Sequence, residues 1–288
     1  MLLFALTLCL LMRWFFAQEQ KRFLYAAAFA HGLTLSECQA LIPATFALPF
    51  MLALGDRKLG REIFFGISVF LWWVLLVKDS LPNFGWTLAS GSQDILVGVA
   101  SVATLSWGIL SFSTHSFFNE WRTSTICSAL FLAGLSFYLL LPVFSMTTPP
   151  INWGYPRTVE GFFHVLSRGQ YGSSEPARSF SKMWMQWILY GKVAVNDFGP
   201  IYLIAAAIPF IMFHKVSACE RRWLASLLAV WFVISLLMLV ALNPDILGLP
   251  YIRSFFAASH LVLALLAGYG MMLVVAILGR PTRAAKVP

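Results

Sequence analysis

The sequence contains few charged residues. Only 11% of its 288 residues are Asp, Glu, Lys or Arg, while 59% are hydrophobic. Soluble domains carry about 25% charged residues, so this chain has too little polar surface to stay in solution. Aromatic residues make up 16%, and Trp and Tyr concentrate where membrane helices meet water. The shortage of charge excludes a soluble domain and predicts an integral membrane protein.

The sequence also lacks the short motifs of several enzyme and transporter classes. It contains no Walker A motif, GxGxxG, HExxH, GxSxG or zinc-finger spacing. These patterns hold phosphates, dinucleotides, zinc ions or a nucleophilic serine. ATP-driven transport and redox chemistry with a soluble cofactor therefore have no support. No cofactor is predicted, and the question of a divalent metal is left open.

Cysteines are sparse, and none form a CxxC pair. The four are Cys9, Cys38, Cys127 and Cys219. Metal binding and disulfide formation remain alternatives, but isolated cysteines in apolar segments are usually small buried hydrophobic residues.

The net charge of +8 does not form a continuous basic surface. The basic residues lie in short clusters between apolar runs, which the positive-inside rule produces, so the charge indicates topology and no nucleic-acid partner is expected. The clusters expected on the cytoplasmic side contain Lys21, Arg22, Arg57, Lys58, Arg61, Arg122, Lys215, Arg221, Arg222, Arg280, Arg283 and Lys286.

Apolar runs predict an all-α, polytopic membrane bundle of about nine segments, since a span needs about 20 apolar residues. The stretch 23–54 is too long for one span, so we expect a tight hairpin that turns at Gly32–Glu37. The other predicted segments are 1–16, 63–78, 94–113, 124–144, 199–214, 223–242 and 255–279. The expected organisation is amino-terminal membrane helices (1–144), an external loop with short amphipathic helices (145–198), and carboxy-terminal membrane helices with a cytoplasmic tail (199–288).

The long loop carries the first candidate for chemistry. Thr158 is a plausible N-cap for a helix that runs to Arg168, with Gly169 closing it. On this helix Glu160, His164 and Arg168 recur every four residues and share one face. Such a face suits a phosphate or a sugar, and the alternative is a solvated surface with weak ion pairs of about 0.2–0.5 kcal/mol each.

Other ionisable and aromatic positions have two interpretations each. An aromatic stripe over 178–192 indicates interfacial packing or the wall of a groove for a lipid-linked substrate. Asp197 and Asp245, at predicted helix mouths, are candidate catalytic acids or ordinary loop residues. His31 and Glu37 stand out within the predicted membrane region, although Glu37 falls at the expected turn.

The segment from Asn152 to Gly172, NWGYPRTVEGFFHVLSRGQYG, resembles a known family pattern. It looks like bacterial domain of unknown function 2723, related to the animal transmembrane protein 260 O-mannosyltransferases. Members carry NPPxNWGxPxTxEGFxxHVxRxQYG after a helix that ends in Leu-Pro, as Leu141-Pro142 does here. Weaker similarity covers Leu24–Leu52 and Asn243–Met271.

The resemblance implies a GT-C-like, membrane-embedded glycosyltransferase in the cytoplasmic membrane. Such enzymes transfer a mannose-like sugar from a polyprenyl-phosphate donor to an external protein or glycan acceptor, so the expected partners are membrane lipid, donor and acceptor. The essential acid of that family lies upstream of the part seen here, so this chain resembles the later part of the membrane domain and its catalytic base is unassigned. The expected substrate-binding residues are Asn152, Trp153, Arg157, Glu160, His164, Arg168, Tyr171 and Arg253. A noncatalytic membrane subunit, or a lipid-binding or transport protein, is the alternative.

Overall fold

The computed structural model describes residues 1–77, 90–116, 118–152, 154–166, 179–243 and 256–278. Within these ranges the chain is helical and contains no strand. The α-helices are α1 (Leu2–Phe16), α2 (Lys21–Glu37), α3 (Ile42–Gly55), α4 (Arg57–Val77), α5 (Ser90–Thr114), α6 (Trp121–Leu135), α7 (Leu140–Met146), α8 (Val159–Leu166), α9 (Phe180–Ile211), α10 (Ala218–Phe232), α11 (Met238–Leu242) and α12 (Ala257–Leu278). A 3-10 turn, Ser136–Leu139, joins α6 to α7, and a π-helical segment, Val233–Leu237, joins α10 to α11.

The predicted membrane class is confirmed at the level of a multi-pass helical protein. Six helical stretches in the described residues are long and apolar enough to cross a membrane. They are Arg57–Val77, Gln93–Thr114, Trp121–Met146, Phe180–Ile211, Ala218–Val240 and Ala257–Leu278. The helices α1, α2 and α3 also pack into the bundle. Because they are shorter than the six stretches above, the total of about nine spans stays a prediction.

Successive helices run between two opposite ends of the bundle. At one end, Gln18 donates a hydrogen bond to the carbonyl of Gly55, and Arg222 donates to the carbonyl of Leu54. We call this the basic end because six basic residues lie there, at or near the starts of their helices. They are Lys21, Arg57, Lys58, Arg122, Arg221 and Arg222. At the other end, Gln39 donates to the carbonyl of Leu166 in α8. We call it the loop end, and the end of α11 and the start of α12 also lie there.

The turn between α2 and α3 is not where the sequence indicated. Gly32 to Glu37 complete α2, and the chain turns at Cys38 and the 3-10 segment Gln39–Leu41. Pro43 lies in the first turn of α3, where its missing N–H costs no hydrogen bond. The two helices also do not form the expected tight hairpin. Helix α2 packs chiefly against α1 and α6, whereas α3 packs chiefly against α4 and α10.

Helix α9 begins inside the expected loop and continues into the bundle. Its backbone breaks at Gly199, which has φ 74° and ψ 158°, directly before Pro200. Pro200 has no N–H, so the carbonyl of Asn196 has no partner one turn ahead. The break divides α9 into 180–198 and 200–211, so the predicted boundary between 198 and 199 is a helix break and not the end of a loop.

An ion pair ties α2 to α6 at the basic end. Lys21 Nζ lies 2.7 Å from Glu120 Oε2 and donates to Thr123 Oγ1 at 2.9 Å. Thr123 also donates to Glu120. The bond from Lys21, followed by that from Thr123, lowers the pKa of Glu120 below its usual range. The stabilisation is therefore present at neutral pH and is lost as the pH falls through that lowered pKa.

Candidate functional site

The loop segment that carries the family-like pattern forms a short, capped helix. Thr158 Oγ1 accepts a hydrogen bond from the backbone N–H of Gly161 at 3.0 Å, which confirms the predicted N-cap. Helix α8 follows over Val159–Leu166, with Glu160 in its first turn. The predicted continuation to Arg168 and Gly169 lies outside the described residues.

The chain before α8 folds back across that helix at a glycine. Gly154 and Tyr155 both have positive φ, 69° and 46°, and this reverses the chain so that it crosses α8. A Cβ at Gly161 would overlap the carbonyl oxygen of Tyr155 and lie 2.7 Å from that of Gly154. Only glycine at 161 leaves room for this crossing.

We expect Gly161→Ala to lift residues 154 and 155 away from α8. Inserting a methyl group into a filled space costs about 1–3 kcal/mol. Trypsin should then cleave the purified protein faster after Arg157, which lies in the displaced segment. Gly191→Ala is the matched control, because, apart from its chain neighbours and the backbone of its own helix, no atom of the described structure lies within 4 Å of a Cβ placed there. Equal cleavage rates for the two variants would contradict this expectation.

The predicted site residues of this segment face different surroundings. The Asn152 side chain hydrogen-bonds to Ser145 near the end of α7. It accepts a hydrogen bond from Ser145 Oγ at 2.9 Å and donates one to the Ser145 carbonyl at 3.3 Å. The Arg157 guanidinium stacks over the Tyr155 ring at 5.4 Å. Glu160 and His164 are exposed one turn apart on α8. Asn152 is thus a structural contact here, while Arg157, Glu160 and His164 are each exposed.

The remaining predicted site positions lie outside the described residues. They are Trp153, Arg168, Tyr171 and Arg253, together with the candidate acid Asp245. The structure therefore describes only part of the predicted set.

A second group of polar side chains lies between α9 and α12. Asp197, two residues before the break in α9, has its carboxylate Oδ2 at 3.4 Å from His260 Nδ1. The side chains of Asp197 and His260 are 21% and 14% exposed, whereas Asp197 counted together with its backbone is an exposed residue. The His260 ring packs edge-on against Phe198 at 5.2 Å and lies near Phe256 at 6.3 Å. An acid and an imidazole are thus held together in an aromatic surrounding.

A hydrogen-bond network supports this pair from three helices. Tyr190 Oη donates to Ser259 Oγ at 2.9 Å and accepts from Trp231 Nε1 at 3.0 Å. Ser259 donates in turn to the Phe256 carbonyl. Tyr190 also lies beside His260, with ring centroids 6.2 Å apart. We call Tyr190, Asp197, Trp231, Ser259 and His260 the α9–α12 site.

Sequence reasoning named Asp197 but missed His260. The signal was present, since His260 is the single histidine in an otherwise uncharged, apolar α12. Ionisable residues inside membrane helices are functional candidates by default. In the described ranges, no group of three or more His, Cys, Asp or Glu side chains is arranged to hold a metal ion.

Comparisons with known proteins give no match for this chain among family models, curated proteins or solved structures.

Proposed function

We propose that this chain is a membrane-embedded portion of a GT-C-like glycosyltransferase. It would transfer a mannose-like sugar from a polyprenyl-phosphate donor to an acceptor outside the cytoplasm. The observation that carries the proposal is the segment 154–166, in which family-like residues form a capped helix, α8, and the chain before that helix crosses over it at the loop end. The basic end then faces the cytoplasm and the loop end faces the external side of the cytoplasmic membrane, in keeping with the positive-inside rule.

Glycosyl transfer from a lipid phosphate needs positive charge near the leaving group. Electrostatic stabilisation of developing charge is usually the largest catalytic contribution. Arg157 is exposed at the loop end, where its guanidinium is held over the Tyr155 ring. A guanidinium matches the oxygen geometry of phosphate. Arg157 is therefore our candidate for binding the donor phosphate, and the exposed Glu160 and His164 of α8 are our candidates for binding the sugar.

The surrounding architecture suits a lipid-linked donor. A polyprenyl chain stays in the bilayer, so its phosphate can meet the protein only near the membrane surface. The loop end offers exposed apolar side chains close to α8, including Ile151, Tyr155 and Val159, which are 74%, 59% and 60% exposed. Such side chains suit the boundary between headgroups and acyl chains.

The direct test is sugar transfer by membranes from cells that express the complete gene. Labelled polyprenyl-phosphate-mannose is supplied, and label is measured in external acceptors of right-side-out vesicles. Transfer above that of membranes without the gene supports the proposal, and no difference between the two membranes rejects it. Label appearing only in inside-out vesicles would reverse the proposed orientation. Copurification with a stable partner, without transfer, would favour a noncatalytic subunit.

Arg157→Gln should lower kcat/KM for the donor by about tenfold or more, equivalent to ~1.4 kcal/mol or more of transition-state stabilisation. The matched control is Arg122→Gln at the basic end. Arg122 is also exposed and stacks over a neighbouring aromatic ring, that of Trp121, at 5.6 Å. The control should keep wild-type kinetics. Equal losses in both variants would show that the effect does not come from donor binding at the loop end.

A further inference from the structure

The turn between α1 and α2 brings two arginines to one aromatic ring at the basic end. The Arg13 guanidinium lies 4.6 Å from the centroid of the Phe23 ring, and the Arg22 guanidinium lies 5.0 Å from the same centroid. Both arginines are exposed, and Phe23 is half-buried. A cation is attracted to the face of an aromatic ring, whereas two cations repel each other. The fold therefore holds two positive charges close together where water and lipid headgroups can reach them.

The protein does not neutralise these two charges itself. The neighbouring Lys21 has an acidic partner on α6. In contrast, no ion pair within the described part of the chain includes Arg13, Arg22 or Glu19, the exposed acid of the same turn. Arg22 makes one long hydrogen bond, to the uncharged Gln20 Oε1 at 3.4 Å. Helix α2 has no acidic residue in its first turn and no side-chain cap, so its positive end adds to the charge.

Helix α1 presents an exposed apolar face next to these charges. Its large exposed side chains are those of Leu2, Leu6, Met12 and Phe16. Their helical spacing places them on one side of α1, and Arg13 falls on the same side, at the basic end. An acyl chain can therefore lie along this face while its headgroup meets the arginines. A free anion would make no use of the apolar face, so the arrangement fits a lipid.

We propose that Arg13 and Arg22 bind the phosphate of an anionic membrane lipid at the basic end, with an acyl chain of that lipid along α1. A guanidinium presents its N–H donors in a fork that matches the oxygens of a phosphate. Both side chains are long and exposed, so both can turn from Phe23 toward one phosphate. Basic clusters beside a membrane helix recognise anionic headgroups in this way. This site is separate from the proposed donor site, which lies at the loop end.

The test measures lipid binding to the purified full-length chain by native mass spectrometry in detergent. Phosphatidylglycerol is titrated, and the Kd of the first bound lipid is determined for the wild type, Arg13→Gln, Arg22→Gln and the double variant. Each single change should weaken binding by about fivefold, the usual share of one basic residue at an anionic surface, and the double variant by more than about tenfold. Phosphatidylglycerol should also raise the melting temperature of the wild type more than that of the double variant. Without lipid the two should melt together, because both arginines are exposed.

Arg122→Gln is the matched control, because Arg122 is exposed at the same end and stacks alone over the Trp121 ring at 5.6 Å. It should keep the wild-type Kd. An equal loss in Arg122→Gln would show that any positive charge at this end serves, and the proposed site would be wrong. Equal binding of the zwitterionic phosphatidylcholine would mean that the apolar face binds lipid without the arginines, which also overturns the proposal. If inorganic phosphate displaces phosphatidylglycerol at equal concentration, the ligand is a free anion and the assignment to a lipid fails.

Discussion

Replacing Gly134 by Ala should destabilise the protein markedly, although alanine is the better helix former. Gly134 on α6 faces Gly32 on α2, and both are buried. A Cβ at 134 would overlap the carbonyl oxygen of Phe29 and lie 2.7 Å from the backbone nitrogen of Leu33. These are backbone atoms, so no side chain can rotate away, and the two helices must separate.

The cost of this separation extends beyond the glycine contact. Ser36 donates to the Gly134 carbonyl at 3.0 Å, and Tyr138 donates to the Leu35 carbonyl at 2.7 Å. The first bond joins α2 to α6 and the second joins α2 to the 3-10 turn after α6, so both depend on the close approach. Small residues at such a crossing let membrane helices pack tightly, which is a main source of their association. Overpacking costs about 1–3 kcal/mol, and we expect Gly134→Ala near the upper value.

The measurement is thermal unfolding in detergent, followed by fluorescence-detected size exclusion. Gly108→Ala on α5 is the matched control, since, apart from its chain neighbours and the backbone of its own helix, no described atom lies within 4 Å of a Cβ there. Exchange of Gly for Ala inside a helix gains about 0.8–1 kcal/mol from propensity alone. The control should therefore match or exceed the wild-type melting temperature, while Gly134→Ala falls below it. Equal melting temperatures for the two variants would show that α2 and α6 do not meet as described.

The sequence predicted the class of this fold better than its contacts. The shortage of charge and the long apolar runs were sufficient for a multi-pass helical bundle, and Thr158 was sufficient for the start of α8. These features are local, because they depend on hydrophobicity and on capping within a few residues. The predicted position of the turn after α2 was wrong because the polar residues of GLTLSE are typical of a turn. Gly32 is instead small because α6 crosses there.

The paired residues of the site were less accessible to sequence reasoning. A membrane helix is apolar on all sides, so periodicity does not show which face packs inward. Asp197 and His260 lie far apart in the chain, and only the approach of α9 to α12 brings them together. Of the loop residues, the contact of Asn152 with Ser145 was likewise not visible, because it depends on the reversal of the chain after α7. The contact of α9 with α12 that joins these two residues therefore could not be predicted from the sequence.

Arg61 was expected in an exposed cytoplasmic cluster, but its side chain is buried. It lies one turn inside α4 and is only 1% exposed. Its guanidinium donates to Thr114 Oγ1 at 2.8 Å and to the backbone carbonyl of Ser116 at the end of α5. It also donates to Glu62 Oε1 at 2.9 Å, and that oxygen accepts the backbone N–H of Glu120. One buried ion pair thus joins α4, the end of α5 and the start of α6.

We expect Arg61→Ala to destabilise the protein by about 3–5 kcal/mol, because it leaves the Glu62 carboxylate buried without its counter-charge. Arg57→Ala is the matched control on the same helix, since Arg57 is exposed and bonds only weakly to Ser113 at 3.3 Å. Thermal unfolding in detergent should show a large loss for the first variant and little change for the second.

The decisive comparison is the double variant Arg61→Met with Glu62→Gln. It removes both charges together, and the Gln amide oxygen can still accept the N–H of Glu120. Breaking a buried pair costs far more than replacing it with neutral groups of similar volume, so the double variant should unfold at a higher temperature than Arg61→Ala. If the double variant is as unstable as Arg61→Ala, the hydrogen bonds of Arg61 to the end of α5 stabilise the protein more than its pairing with Glu62. The basic end would then depend on arginine as a donor to backbone and hydroxyl oxygens, with the ion pair contributing little.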